Sequence, residues 1–148
     1  MKLDASLATE DAVTAKIVDL GFAKAVNEPG AQTAISTPGA FDGTPEFASS
    51  EQIAEVGGDI RSDLYSLGVT LWEGLSGQTP FQGSPAGVMY QHRQDPSLDE
   101  QLKGVSQPFG VLIDVLLEKD SGRRFQSPAE LLKVMPTVRD AVNAGFPS

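Results

Sequence analysis

An aspartate that follows a strand and precedes a glycine can hold its carboxylate at the lip of a pocket, and Lys16-Ile17-Val18-Asp19-Leu20-Gly21 offers that arrangement. Lys16 to Val18 reads as a short strand, and Gly21 permits backbone angles that other residues resist. The alternative reading of Asp19 is a turn acid. Hydroxyls come next. Thr33, Ser36 and Thr37 lie in a stretch from Asn27 to Asp42 rich in Pro, Gly, Ala, Ser and Thr, which reads as a surface loop. A loop this long usually carries function or is disordered. Beyond it the chain has no cysteine, which excludes disulfides and thiolate-bound metal, and its one histidine cannot form a histidine cluster. Structural zinc is thereby excluded. That histidine, His92, sits near the last turn of a predicted helix and reads as a partner for the helix dipole rather than a catalyst.

These groups need a scaffold, and the stretch Asp59 to Phe81 is its centre. Ile60, Leu64, Leu67, Leu71 and Leu75 recur at spacings of three and four, as one face of an α-helix requires. Tyr65, Val69 and Trp72 lie on a second face, so the helix is expected to be enclosed on more than one side. Asp59, Arg61, Ser62 and Asp63 mark its start, Gly77 its stop, and Pro80 bars resumption. A helix around Pro85 to Arg93 follows, with Val88 and Met89 facing inward, then an acidic and polar connection from Asp95 to Gly104. Pro108 opens a further helix whose apolar face is Val111, Leu112, Val115 and Leu116, ended by Lys119, Asp120 and Gly122. Ser127-Pro128-Ala129-Glu130 is a helix start with a serine cap, and Leu131, Leu132 and Met135 should face the core. Pro136 is expected to kink or end that helix, with a short one from Thr137 to Ala144. Ahead of all this, Leu3 can close a short strand, and Asp4 to Thr14 reads as a hairpin turn or loop.

Composition narrows the function classes. At 148 residues the chain is about one domain long. Its 20 acidic against 11 basic side chains give a net charge of −9, which disfavours nucleic acid and anionic membranes as partners. The N-terminus has no apolar signal core, and the longest apolar stretch, Phe109 to Leu117, is interrupted by Asp114. A soluble, cytoplasmic protein with no membrane segment is expected.

Five landmarks in order then carry a resemblance: Asp19-Leu20-Gly21 after its strand, Gly43-Thr44-Pro45-Glu46-Phe47, Ser50-Glu51, Asp63 to Gly68, and Arg124 in the run Lys119 to Phe125. From about Lys16 to about Met135 the chain resembles the second half of a protein serine/threonine kinase domain, in which a metal-binding DFG triplet, an activation loop, an APE triplet and a buried helix follow one another. The fold this implies is mainly α, a partial kinase-like C-lobe: short strands and the Asp-Leu-Gly triplet in 1–21, an activation segment in 22–52, and a helical subdomain around a central buried helix in 53–148.

The resemblance also implies roles. Asp19 stands where the family's aspartate holds the Mg²⁺ that bridges the phosphates of ATP, a task suited to a hard oxygen ligand; Leu20 replaces the usual Phe. Thr33, Ser36 and Thr37 fall where such kinases carry a regulatory phosphosite, with loop-solubilising hydroxyls as the other reading. Gly43, Thr44 and Pro45 resemble the substrate-facing loop, and threonine at Thr44 is the version found in serine/threonine kinases. Ser49-Ser50-Glu51 departs from Ala-Pro-Glu at two places but keeps the acid. Glu51 and Arg124 are implied to form a buried bidentate ion pair, structural rather than catalytic. Asp63 is implied to be a buried acid that accepts backbone hydrogen bonds from the catalytic loop; the alternative is compensation of the helix dipole.

The rest of the family's machinery is not in these residues. There is no GxGxxG, no VAIK-like lysine and no HRD, so the general base is missing and these 148 residues alone are expected not to transfer phosphate. A non-catalytic binding module whose face at 85–104 docks a protein partner is the alternative. Leu64, Leu67 and Trp72 are expected to be partly bared to water, with marginal stability or self-association as the result.

Overall fold

The computed structural model describes residues 2–4, 14–16, 43–94 and 104–145. The chain forms two compact units, 1–40 and 41–148. In the first, β1 (Lys2–Asp4) pairs antiparallel with β2 (Thr14–Lys16), Leu3 opposite Ala15. Of the strand predicted at Lys16 to Val18, only Lys16 lies within the described residues.

The second unit is helical. It runs through a 3₁₀ turn at Pro45–Phe47, then α1 (Ser50–Ile53), α2 (Ile60–Ser76), α3 (Pro85–Gln94), α4 (Gln107–Leu116), a second 3₁₀ turn at Ser121–Arg123, and α5 (Pro128–Asn143). The start of α2 is a capping box: Asp59 accepts from the Arg61 amide at 2.8 Å while the Asp59 amide donates to Ser62 Oγ at 3.2 Å. Its end is Gly77 in the left-handed region at φ 80°, where glycine has no Cβ to clash. Both boundaries fall where the sequence marks them.

Around α2 the core forms two clusters. Tyr65, Val69 and Trp72 pack with Ile113 and Leu117, and Leu64 packs with Leu112, Leu116 and Leu131. Leu64 and Trp72 are therefore buried, at 4% and 1% exposure, against the expectation that they face water. Exposure falls instead on the ends of the predicted stripe, Ile60 and Leu75, with Leu67 and Leu71 half-buried. Length explains this. A helix of 17 residues spans about 25 Å and one of 10 residues about 15 Å, so α4 cannot roof both ends of α2.

The closest approach of α2 to α4 is at Gly68. A Cβ there would come within 2.8 Å of Leu116 Cβ and 3.1 Å of the Leu117 side chain. Gly68→Ala is expected to cost about 1–3 kcal/mol through overpacking, despite alanine's better helix propensity. Urea denaturation checks this, with Gly74→Ala, where a Cβ meets nothing within 4 Å, as the matched control.

Three other expectations are corrected. Val111 is 56% exposed, so the buried face of α4 is Leu112, Ile113 and Leu116 instead. Leu132 is 67% exposed, whereas Leu131 is buried and Met135 packs on the core. Pro136 neither ends nor splits its helix: α5 runs unbroken to Asn143. The carbonyl deprived of its donor by Pro136 belongs to exposed Leu132, on a face open to water that can take the missing donor's place.

Candidate functional site

Gly43 and Thr44 are exposed and lead directly into the 3₁₀ turn Pro45–Phe47, which packs on α2 and α3. The start of α1 fixes that segment from its far end. Ser49 caps α1 in a reciprocal box: its Oγ accepts from the Gln52 amide at 3.3 Å, and its own amide donates to Gln52 Oε1 at 2.9 Å. A serine at 49 thus gives the turn a cap of its own where the family motif has Ala-Pro-Glu.

One residue into α1, Glu51 meets Arg124, 73 residues away in sequence. The guanidinium donates in a fork, Nη1 to Oε1 at 2.7 Å and Nη2 to Oε2 at 2.9 Å. Its remaining donors reach the carbonyls of Glu118 (2.6 Å), Arg61 (3.1 Å) and Lys119 (3.1 Å). All five N–H groups of Arg124 are therefore used, which matters because its side chain is fully buried. Glu51 in turn accepts from Ser62 Oγ at 2.7 Å and Ser50 Oγ at 3.2 Å. Partial burial pushes the Glu51 carboxyl up, but the hydrogen bonds from Arg124 and Ser62 outweigh it and hold the group down at about 2. The pair thus ties α1, and the exposed segment ahead of it, to the start of α2 and to the turn before α5.

A second tie has no counterpart among the sequence-based expectations. His92, expected to be a charged partner of the α3 dipole, has no solvent exposure. Its Nε2 lies 3.0 Å from the Glu46 carbonyl and its Nδ1 2.7 Å from the Tyr65 hydroxyl. A carbonyl only accepts, so Nε2 carries the hydrogen and Nδ1 accepts from Tyr65. The ring is neutral: burial, reinforced by the positive charge of Lys119, pulls it down to about 4. Phe81 packs edge-on against it, with centroids 4.6 Å apart. Tyr65 joins the two ties, because the Arg124 guanidinium lies over its ring at 4.8 Å. The sequence signal for His92 is its spacing from Val88, four residues back on the same buried face of α3.

Asp63, implied to be a buried acid, lies exposed on the first turn of α2. Desolvation and the negative charge of Asp59 push its carboxyl up. The catalytic loop that the resemblance would lay over it is not among these residues. Asp19, Thr33, Ser36 and Thr37 lie outside the described residues. Among the described residues no group of three His, Cys, Asp or Glu side chains could hold a metal ion, and no helix is long and apolar enough to cross a membrane.

The protein kinase domain family matches residues 2–135. Among curated proteins the chain is similar to serine/threonine-protein kinase pkn2 of Myxococcus xanthus, at 39% identity over 138 residues, covering 90% of this chain and 16% of that protein. It is also similar to serine/threonine-protein kinase PknB of Mycobacterium leprae, at 38% over 119 residues, covering 78% and 19%. PknB of Mycolicibacterium smegmatis matches the same share at 36%. The chain spans less than a fifth of the length of these relatives.

Proposed function

Because this chain belongs to the protein kinase family, we propose that it supplies the substrate-facing side of a protein serine/threonine kinase, in a protein that transfers phosphate from ATP to serine and threonine hydroxyls of other proteins. The observation that carries the reading is the exposed Gly43-Thr44 step, rooted through Glu51 on the fully buried Arg124. An extended segment that must present a peptide hydroxyl in one geometry needs such a root, since misplacement of a reacting group by about 1 Å can cost a hundredfold in rate. Gly43, Thr44 and Pro45 line that surface, and a hydroxyl at Thr44 suits an aliphatic hydroxyl substrate. The Asp19 carboxylate is the hard oxygen ligand available for Mg²⁺, and Mg·ATP, when bound, supplies the phosphoryl group. Thr33, Ser36 and Thr37 are the candidate sites of activating phosphorylation. The protein's location is proposed to be the cytoplasm, where ATP and protein substrates meet.

The test is transfer from radiolabelled Mg·ATP to peptide libraries by the protein that carries these residues. Label on serine and threonine peptides, abolished by Asp19→Ala and reduced roughly tenfold in kcat/KM by Thr44→Ala, as loss of one hydrogen bond gives, is the expected result. Label on tyrosine alone, or none from a folded protein, contradicts the reading and favours a module that binds a partner without chemistry.

A further inference from the structure

A three-residue 3₁₀ turn leaves its last carbonyls without internal donors. In the turn Pro45–Phe47, the Thr44 and Pro45 carbonyls are taken by the amides of Phe47 (3.1 Å) and Ala48 (3.2 Å). The next two carbonyls are taken from outside the segment. His92 Nε2 on α3 donates to Glu46 O at 3.0 Å, and Ser66 Oγ on α2 donates to Phe47 O at 2.7 Å. Two helices thus hold two consecutive peptide groups, beginning two residues after the exposed Thr44.

We propose that His92 is a positioning residue for the Gly43–Phe47 segment, fixing through the Glu46 carbonyl the backbone that meets the substrate peptide. The inference rests on the reading of Gly43, Thr44 and Pro45 as substrate-facing, and goes beyond it by assigning the orientation of that surface to a buried histidine on another helix. The neutral ring meets both partners. Its Nε2–H would persist on protonation, so acid acts here by placing an uncompensated cation in a buried site rather than by removing the donor to Glu46. A second proton, on Nδ1, would displace the hydrogen donated by Tyr65. Among the described residues the surroundings offer it no anion: α2 presents the Tyr65 phenol, with the Arg124 guanidinium behind it; the stretch after α4 presents the Lys119 ammonium; the Phe81 ring is uncharged; and the turn presents the Glu46 carbonyl. The segment is therefore anchored at neutral pH and released in acid.

The experiment is amide hydrogen exchange at Phe47 and Ala48 in the full chain, paired with KM for a threonine peptide in the protein that carries it. The variants are His92→Gln, whose amide nitrogen can stand where Nε2 stands, and His92→Asn, whose amide can reach only the Nδ1 side. Protection at Phe47 and Ala48 is expected to fall about tenfold in His92→Asn, as loss of one hydrogen bond gives, and to be retained in His92→Gln. KM should rise in His92→Asn alone. Acid should lower wild-type protection below that of His92→Gln. Equal loss across the whole chain in both variants, or unchanged protection in His92→Asn, overturns the proposal. Lost protection with unchanged KM overturns it through its premise, leaving the anchoring contact but removing 43–45 from the substrate surface.

Discussion

Arg124→Ala is expected to lower stability by about 3–5 kcal/mol, while Arg123→Ala changes it by less than about 0.5 kcal/mol. The two arginines are neighbours, which makes the contrast demanding. Arg123 is 71% exposed and approaches Glu118 only at 3.9 Å, a surface contact of little energy. Arg124 is fully buried, and its removal takes both guanidinium bonds from Glu51 and one donor each from the carbonyls of Glu118, Lys119 and Arg61 at once. Arg124→Lys should recover little, because an ammonium cannot reproduce the planar fork. Urea denaturation of the three variants checks this; equal losses at 123 and 124 would refute it.

Acid is expected to unfold the protein in two stages. His92 is held at about 4, below its ordinary value near 6.5, so between those values the unfolded chain binds a proton that the folded chain refuses. Its contribution is complete above about pH 6.5 and is lost as pH falls to about 4, a change of about 3 kcal/mol. Glu51 is also depressed, to about 2 from 4.5, so its contribution is present above pH 4.5 and lost as pH falls toward 2, by a similar amount. His92→Gln should flatten the upper stage and leave the lower one. Denaturant midpoints taken from pH 7 to pH 3 give the measurement, and a wild-type midpoint that stays level between pH 6.5 and 4.5 would contradict the neutral buried ring.

How much of the fold and the site is legible in the residues depends on the range of the interaction. The bounds of α2, its glycine stop, the Pro108 start and the Ser127 cap are local, and the residues place them where the structure has them. Faces are read less well. Val111 and Leu132 fit their helices' apolar periodicity but lie beyond the reach of a neighbour, because periodicity says which residues share a side and not which sides are covered. The Glu51–Arg124 contact spans 73 residues and comes only from the resemblance. The His92 tie spans 46 residues and two unrelated helices, and nothing local pairs a histidine with the carbonyl of Glu46. Asp63 misleads for the opposite reason: its implied burial depends on a loop that these residues do not contain.

Glu51 and Arg124 act as one unit that roots the segment proposed to face substrate on the helical body, and everything proposed for that segment depends on it. A double-mutant cycle measures this most directly, with Glu51→Ala, Arg124→Ala and the double variant compared by urea denaturation. The double variant is expected to lose no more than Arg124→Ala alone, a coupling of about 2–3 kcal/mol. Losses that simply add would contradict it.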